Sequence, residues 1–343
     1  MTSENSMHLE RAAALLELRR PAEARQILEQ LIASDPSDAA AMVLLARCRV
    51  QLGDDDGAIE WSRRAGAAAP DDLALLLDCS SVARTAGNAS DAYAWAIRAL
   101  SMAPTSVRAL NLVSLAEVGL GMDGPAIGHA AAALEQAPDD LDLRVGYALA
   151  LSASGRVADA TVQYVQVLEQ APTHVYALNN LASLRLGVGD LRRSIRLFGR
   201  ALAIDPRLQI AARNIDAAAV SGRRILASHL AIGLGVVGAG RQTHLAWTYL
   251  VGAAIVVWTV WSFLRLPAGI RRRFTRAFGW WDLADGFAYV MGLGLAFGFS
   301  PDDPDFQGGY WWLIFYGSAS VVGLGVRRGR LAVQLRRAGV RLP

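Results

Sequence analysis

Apolar positions along residues 5–208 recur at the three- and four-residue spacing of amphipathic helices, and the pattern is broken at one constant interval. In the last of these segments Leu178, Leu181, Ile195 and Phe198 mark the apolar faces, while Arg192, Arg193 and Arg196 fall on the polar side. The breaks are prolines: Pro36, Pro70, Pro104, Pro138, Pro172 and Pro206 stand 34 residues apart. Gly53, Gly87, Gly121, Gly155 and Gly189 keep the same step, each 17 residues before the next proline. A glycine ends one helix and a proline follows the next, so each unit is predicted to be two antiparallel helices joined by a tight turn. In the first unit Arg19 stands where the later units have glycine.

Small residues recur where the two helices must touch. Twelve positions before the prolines lie Ala24, Ala58, Ala92, Ala126, Ala160 and Ser194; five before lie Leu31, Ala65, Ala99, Ala133, Val167 and Ala201. Together with Leu181, Ala182, Gly189, Ser194, Phe198, Ala201 and Pro206, this pattern resembles the tetratricopeptide repeat family over residues 5–208. Ser62 and Ala96 stand where that family has an aromatic, and Trp61 and Trp95, one position earlier, are expected to fill part of the volume. The resemblance implies an all-α fold, a right-handed superhelical solenoid of six helical hairpins, closed by a capping helix over 209–222 with Arg213 and Asp216 facing water.

Past Gly222 the composition changes. Seven of the nine tryptophans lie there, with long uncharged apolar runs. Leu245–Leu264 is 20 residues without a charge, and at about 1.5 Å per residue this length crosses a hydrocarbon core of roughly 30 Å. Leu283–Phe299 and Tyr310–Val326 are shorter and equally apolar apart from Asp285, with tryptophans at their flanks. Ile225–Gly240 has 16 residues, and charge decides its reading. Arg265, Arg271, Arg272, Arg273 and Arg276 share one loop and Arg327, Arg328, Arg330, Arg336, Arg337 and Arg341 the tail, so both are expected on the cytoplasmic side. Four crossings within 225–326 then keep the repeats in the cytoplasm, without a signal sequence that the N-terminal residues do not provide. The repeat fold is thus expected to be followed by a transmembrane helical bundle and, over 327–343, a basic cytoplasmic tail.

Charge divides the same way. Residues 1–222 hold 20 Arg against 26 Asp and Glu, net −6, and the remainder holds 14 Arg against 5 Asp, net +9. The sequence pI of about 9.1 therefore points to anionic lipid around the Arg-rich loop and tail rather than to nucleic acid. Every basic residue but the histidines is arginine, and with abundant Ala and Gly this composition suggests a GC-rich bacterial genome.

Few residues suggest chemistry. Cys48 and Cys79 lack CxxC spacing and read as buried packing residues. The five histidines lack metal-ligand spacing, so neither a metal nor a cofactor is expected. Gly233, Gly235 and Gly238 match a dinucleotide fingerprint only literally, inside an apolar run with no preceding strand. Asp285 is the intramembrane candidate, read chiefly as an interfacial charge near Arg273 or Arg276. The resemblance implies that first helices line a concave binding surface, which makes Asn111, Asn179 and Asn180 candidates for holding an extended peptide backbone. Only Asn180 matches the family's asparagine row, since Leu112 and Gly146 replace it in the preceding units. Tyr176, Arg47, Arg84 and Arg108 are further candidates for the same groove. The sequence thus predicts a non-enzymatic, membrane-anchored scaffold that recruits proteins or extended segments, the alternative being a transport or lipid-processing subunit with regulatory repeats.

Overall fold

The computed structural model describes residues 3–206, Leu208 and 210–217, together with Val257, Leu331 and 333–335. Every regular element among them is a helix: α1 Ser3–Glu17, α2 Pro21–Ser34, α3 Ala39–Leu52, α4 Asp55–Ala68, α5 Leu73–Thr85, α6 Ala89–Met102, α7 Val107–Leu120, α8 Asp123–Gln136, α9 Leu141–Ala153, α10 Val157–Gln170, α11 Val175–Gly187 and α12 Leu191–Ile204. Two compact units divide the chain, Met1–Val167 and Leu168–Pro343. In the first, helices adjacent in sequence pack together from α1 to α9, and the first helices α1, α3, α5, α7 and α9 also pack side by side. This is an all-α solenoid of repeated hairpins. In the second unit α11 and α12 form one further hairpin.

The glycines end the first helices because the chain must turn left-handed there. Gly53, Gly87, Gly121, Gly155 and Gly189 all have φ between 72° and 82°, a region that costs other residues a clash with their own Cβ. The reversal lets the next N–H reach back into the last turn, as Asp54 does to Arg49 O at 2.9 Å and Asn88 to Ala83 O at 2.8 Å. Arg19 adopts the same conformation without being glycine, at φ 56°, and Arg20 N–H still reaches Leu15 O at 2.8 Å. The first turn therefore keeps the geometry of the others under backbone strain.

Each proline ends a second helix through the residue before it. The pyrrolidine ring excludes that residue from α space, and Asp35, Ala69, Ala103, Ala137 and Asp205 accordingly sit at φ between −139° and −124° with ψ between 68° and 94°. Two residues beyond the proline comes an N-cap. Asp38, Asp72, Ser106, Asp140 and His174 accept from the backbone N–H groups of Ala41, Leu75, Ala109, Leu143 and Ala177. One residue beyond the glycine, Asp54, Asn88 and Asp190 cap the second helices in the same way.

The core is a row of stripes. Each second helix presents residues at i, i+4 and i+7: Ala24, Leu28 and Leu31; Ala58, Ser62 and Ala65; Ala92, Ala96 and Ala99; Ala126, Ala130 and Ala133; Ala160, Tyr164 and Val167; Ser194, Phe198 and Ala201. None is more than 5% exposed. Within the first unit the next first helix packs onto that stripe. Ala41, Leu45 and Cys48 share a cluster with Ala24, Leu28 and Leu31, and Leu75, Cys79 and Val82 with Ala58 and Ala65. Trp61 and Trp95 pack partly buried against these clusters, beside the small Ser62 and Ala96. The indole of Trp95 lies against buried Gly66, where a Cβ would meet Nε1 at 3.0 Å.

Residues 210–217 are helical, with Leu208, Ala211 and Ile215 buried and Arg213 and Asp216 exposed, in the part of the chain expected to form the capping helix. Among the described residues no helix is long and apolar enough to cross a membrane. The four expected crossings within 225–326, Asp285 and the basic tail lie outside the described residues but for Val257, Leu331 and 333–335.

Backbone strain at the first turn sets a stability prediction. Arg19→Gly should raise resistance to urea by about 1 kcal/mol, and Gly87→Ala should lower it by a similar amount, both read from denaturation midpoints.

Candidate functional site

Beside the residues that meet the preceding stripe, the first helices α5, α7 and α9 carry a second row at positions i, i+3, i+7 and i+10, whose accessible part lies towards the later positions. On α7 it carries Arg108, Asn111, Leu115 and Val118; on α5, Ala74, Leu77, Ser81 and Arg84; on α9, Asp142, Val145, Leu149 and Ser152. Arg47 occupies the same face of α3. Arg84 and Arg108 are exposed, and Leu115 and Leu149 are half-buried. Leu77 and Val145 of this row are buried, so what it offers is the half-buried Leu115, Leu149 and Asn111 and the exposed Arg84 and Arg108.

Neighbouring first helices tie this face together. Arg108 pairs with Asp78 of α5, and Arg47 Nη2 donates to Glu17 Oε1 of α1 at 3.0 Å. Both pairs are substantially exposed, and such pairs contribute about 0–1 kcal/mol, so a carboxylate from a ligand can replace either acid at little cost. Asn111 is half-buried, and its Oδ1 occupies the space where a Cβ of residue 146 would stand, 2.7 Å away. Gly146, which interrupts the expected asparagine row, makes the room that Asn111 uses.

In the second unit Tyr176 is 53% exposed, with its ring edge-on to His174 at 6.4 Å between centroids. Asn179 is buried, and its carboxamide is committed to neighbours: Nδ2 donates to Asn180 Oδ1 at 3.1 Å, and Oδ1 accepts from Asn214 Nδ2 at 3.0 Å. Asn180 and Asn214 are half-buried at the edge of this chain of amides. Asn179 thus orients Asn180, and Tyr176 and Asn180 are the members with surface to offer. Asp285 lies outside the described residues.

A buried ionisable pair escaped the sequence reading. Glu117 on α7 is 1% exposed, and His129 Nδ1 on α8 lies 2.8 Å from its Oε2. The signal was an offset of twelve. Ser80 and Ser114 donate across their hairpins to Ala92 O and Ala126 O, twelve residues on, and Glu117 reaches His129 by the same step. On α11, Arg185 is also buried, and burial pulls its guanidinium below the usual range. Among the described residues no group of His, Cys, Asp or Glu has the arrangement of a metal site.

These features define a helical-repeat protein whose first helices carry polar and apolar side chains beside the core. Residues 15–78 match the family model described as tetratricopeptide repeat, and the hairpins beyond them keep the same glycine turns and small-residue stripes. Among curated proteins no relative matches the chain. Among solved structures it is similar to TTC0263, a tetratricopeptide repeat protein of Thermus thermophilus, at 25% identity over 53% of this chain and 99% of the other, with a TM-score of 0.45. It is also similar to PilW, a type IV pilus biogenesis factor, at 16% identity over 62% and 99% with a TM-score of 0.49, and to YrrB, a tetratricopeptide repeat protein with an unusual peptide-binding site, at 17% over 55% and 96% with a TM-score of 0.35.

Gly146→Ala should displace the Asn111 carboxamide, visible as a shift of its side-chain NH₂ resonances; in an Asn111→Ala background the same change should stabilise by up to about 1 kcal/mol through helix propensity. Burial pushes the Cys79 thiol up to about 12 and also raises that of Cys48. Both should therefore resist iodoacetamide at pH 8 in the folded protein and react only as fast as the hairpins open.

Proposed function

We propose that the repeats are a protein-interaction module that holds an extended, acidic and apolar segment along the first-helix face of the first unit. Tetratricopeptide repeats mediate contacts between proteins, and the observation that carries the reading here is the composition of that face. Leu115 and Leu149 are half-buried apolar positions of that face, and Arg84, Arg108 and Arg47 lie along it in the helix register, the last two with carboxylate partners that a ligand can replace. Asn111 lies within the same face and offers both a donor and an acceptor to a passing backbone.

The reading extends to the membrane on the strength of sequence. Leu245–Leu264 has the length and composition of a crossing segment, and the arginines of 265–276 and 327–341 suit anionic headgroups. A module held at a bilayer meets partners that share the surface at raised effective concentration, without any new contact. Recruitment of proteins to the cytoplasmic face of the membrane is the function this combination supports best.

Two measurements test it. A photo-crosslinking amino acid at Leu115 should yield an adduct in cells, whereas one at Ile97, on α6, should not; Arg84→Glu with Arg108→Glu should reduce the Leu115 adduct at least tenfold. Equal adducts at both positions would remove the face from consideration. After carbonate extraction the full chain should stay in the membrane pellet, and its recovery in the supernatant would sink the anchoring.

A further inference from the structure

The outer face of α12 differs in charge from the same face of every earlier second helix. At about 100° per residue, Arg192, Arg193, Arg196, Gly199, Arg200, Ala203 and Ile204 fall on one arc, and all of them are exposed. That arc holds four arginines and no acid. At the corresponding positions, in steps of 34 residues, α2 carries Glu23 and Glu29, α8 only Glu135, and α10 Asp159 and Glu169. On α4 and α6 the signs balance, with Asp56 and Glu60 against Arg63 and Arg64, and Asp91 against Arg98. The arc therefore carries −2, 0, 0, −1 and −2 in the first five units and +4 in the sixth.

Pairing separates α12 as well. Arg63, Arg64 and Arg98 each meet a carboxylate, of Asp91, Glu60 and Asp71. On α12, Arg193 pairs with Asp190 and Arg200 Nη2 donates to Pro172 O at 3.2 Å, whereas Arg192 and Arg196 have no ion pair or side-chain hydrogen bond among the described residues. On α11, packed against α12, burial pulls the Arg185 guanidinium below its usual range; Asp190 opposes the shift and Arg193 adds to it. Arg192, Arg196 and Arg200 also stand at i, i+4 and i+8, where like charges destabilise a helix. The face thus works against its own helix and calls for an anion from outside.

We infer that the outer face of α12 binds the headgroups of anionic phospholipid and sets the last hairpin against the membrane surface. The face is the outside of a single helix with its arginines spread over about 12 Å, and a flat, fluid layer of phosphate can meet all four at once. Place in the chain favours that layer: α12 ends at Ile204, and the first apolar run of the tail begins at Ile225, directly after Arg223 and Arg224. Ile204, in helical register with Arg193 and Arg200 and 43% exposed, adds an apolar contact suited to the interface. A nucleic acid strand fits less well, since residues 1–184 hold 13 Arg against 23 Asp and Glu, net −10. This contact rests on the membrane reading above and adds to it an attachment made by the repeats themselves.

The test puts a fluorophore on the full chain through Gly199→Cys, an exposed position with open space for a Cβ, while Cys48 and Cys79 are buried. The chain is reconstituted with vesicles bearing a quencher on a minor headgroup, made of phosphatidylcholine alone or with about one-quarter phosphatidylglycerol. Quenching should be about threefold or more greater with phosphatidylglycerol and should fall as salt is added. Arg192→Glu with Arg196→Glu should return it to the phosphatidylcholine value at an unchanged thermal midpoint, since both side chains are exposed. A fluorophore at Gly128→Cys, on the corresponding arc of α8 and equally open, should not respond to lipid charge. Quenching indifferent to phosphatidylglycerol or to the two substitutions, or equal at both positions, would overturn the proposal, as would an RNA oligonucleotide that covers the label and is not displaced by the vesicles. Carbonate extraction keeps the two readings apart: a pelleted chain whose label is not quenched retains the anchor and loses this contact, and a released chain whose label is still quenched retains the contact and loses the anchor.

Discussion

The solenoid depends on helices whose packing face is almost without side chains. Alanine at i, i+4 and i+7, as in Ala92, Ala96 and Ala99, lets the backbone of a second helix come close to two first helices at once, its own and the next. Larger residues on the first helices, such as Leu75, Leu76 and Val113, supply the apolar area; each such side chain, fully buried, contributes about 1.5–3 kcal/mol. A larger residue on a stripe is accommodated locally, as Tyr164 and Phe198 are in the fifth and sixth units, both fully buried. The division of labour between small and large surfaces forces the constant interval, since an insertion in either helix would rotate the stripe off its two partners.

Turn chemistry then acts as punctuation for that interval. A left-handed residue closes each first helix, a proline closes each second helix by constraining the residue before it, and a short polar side chain opens the next. These devices are local, which is why the proline and glycine spacing revealed the hairpins from sequence. The caps two residues past each proline were equally local, but their identities vary among Asp, Ser and His and so hid the shared role. Arg19 shows the tolerance of the system: the hydrogen bonds of the turn persist at φ 56° without glycine.

The surfaces were less legible because their properties arise between repeats. From sequence, Gly146 read as a gap in an asparagine row; in the structure it is the space into which Asn111 projects from the neighbouring helix. Asn179 looked like a groove residue, yet it is buried and linked to Asn180 and Asn214. The half-buried Leu115 and Leu149 drew no attention, since single leucines on amphipathic helices ordinarily signal core. Glu117 was invisible as a buried acid for the opposite reason. Its partner sits across the hairpin at an offset that only the three-dimensional pairing of α7 with α8 gives meaning.

Interchangeable alanine stripes carry a risk, for a helix that packs on Ala92, Ala96 and Ala99 would pack about as well on Ala126, Ala130 and Ala133. What distinguishes one junction from another is a small set of features that occur once: Trp95 against Gly66, Asn111 over Gly146, Glu117 against His129. Each works as an address. A chain folding one hairpin out of step would keep most of its apolar contacts, but it would leave an indole without its recess and a carboxylate buried without its imidazole. The departures from the repeat, more than the repeat itself, give this array a single order of assembly.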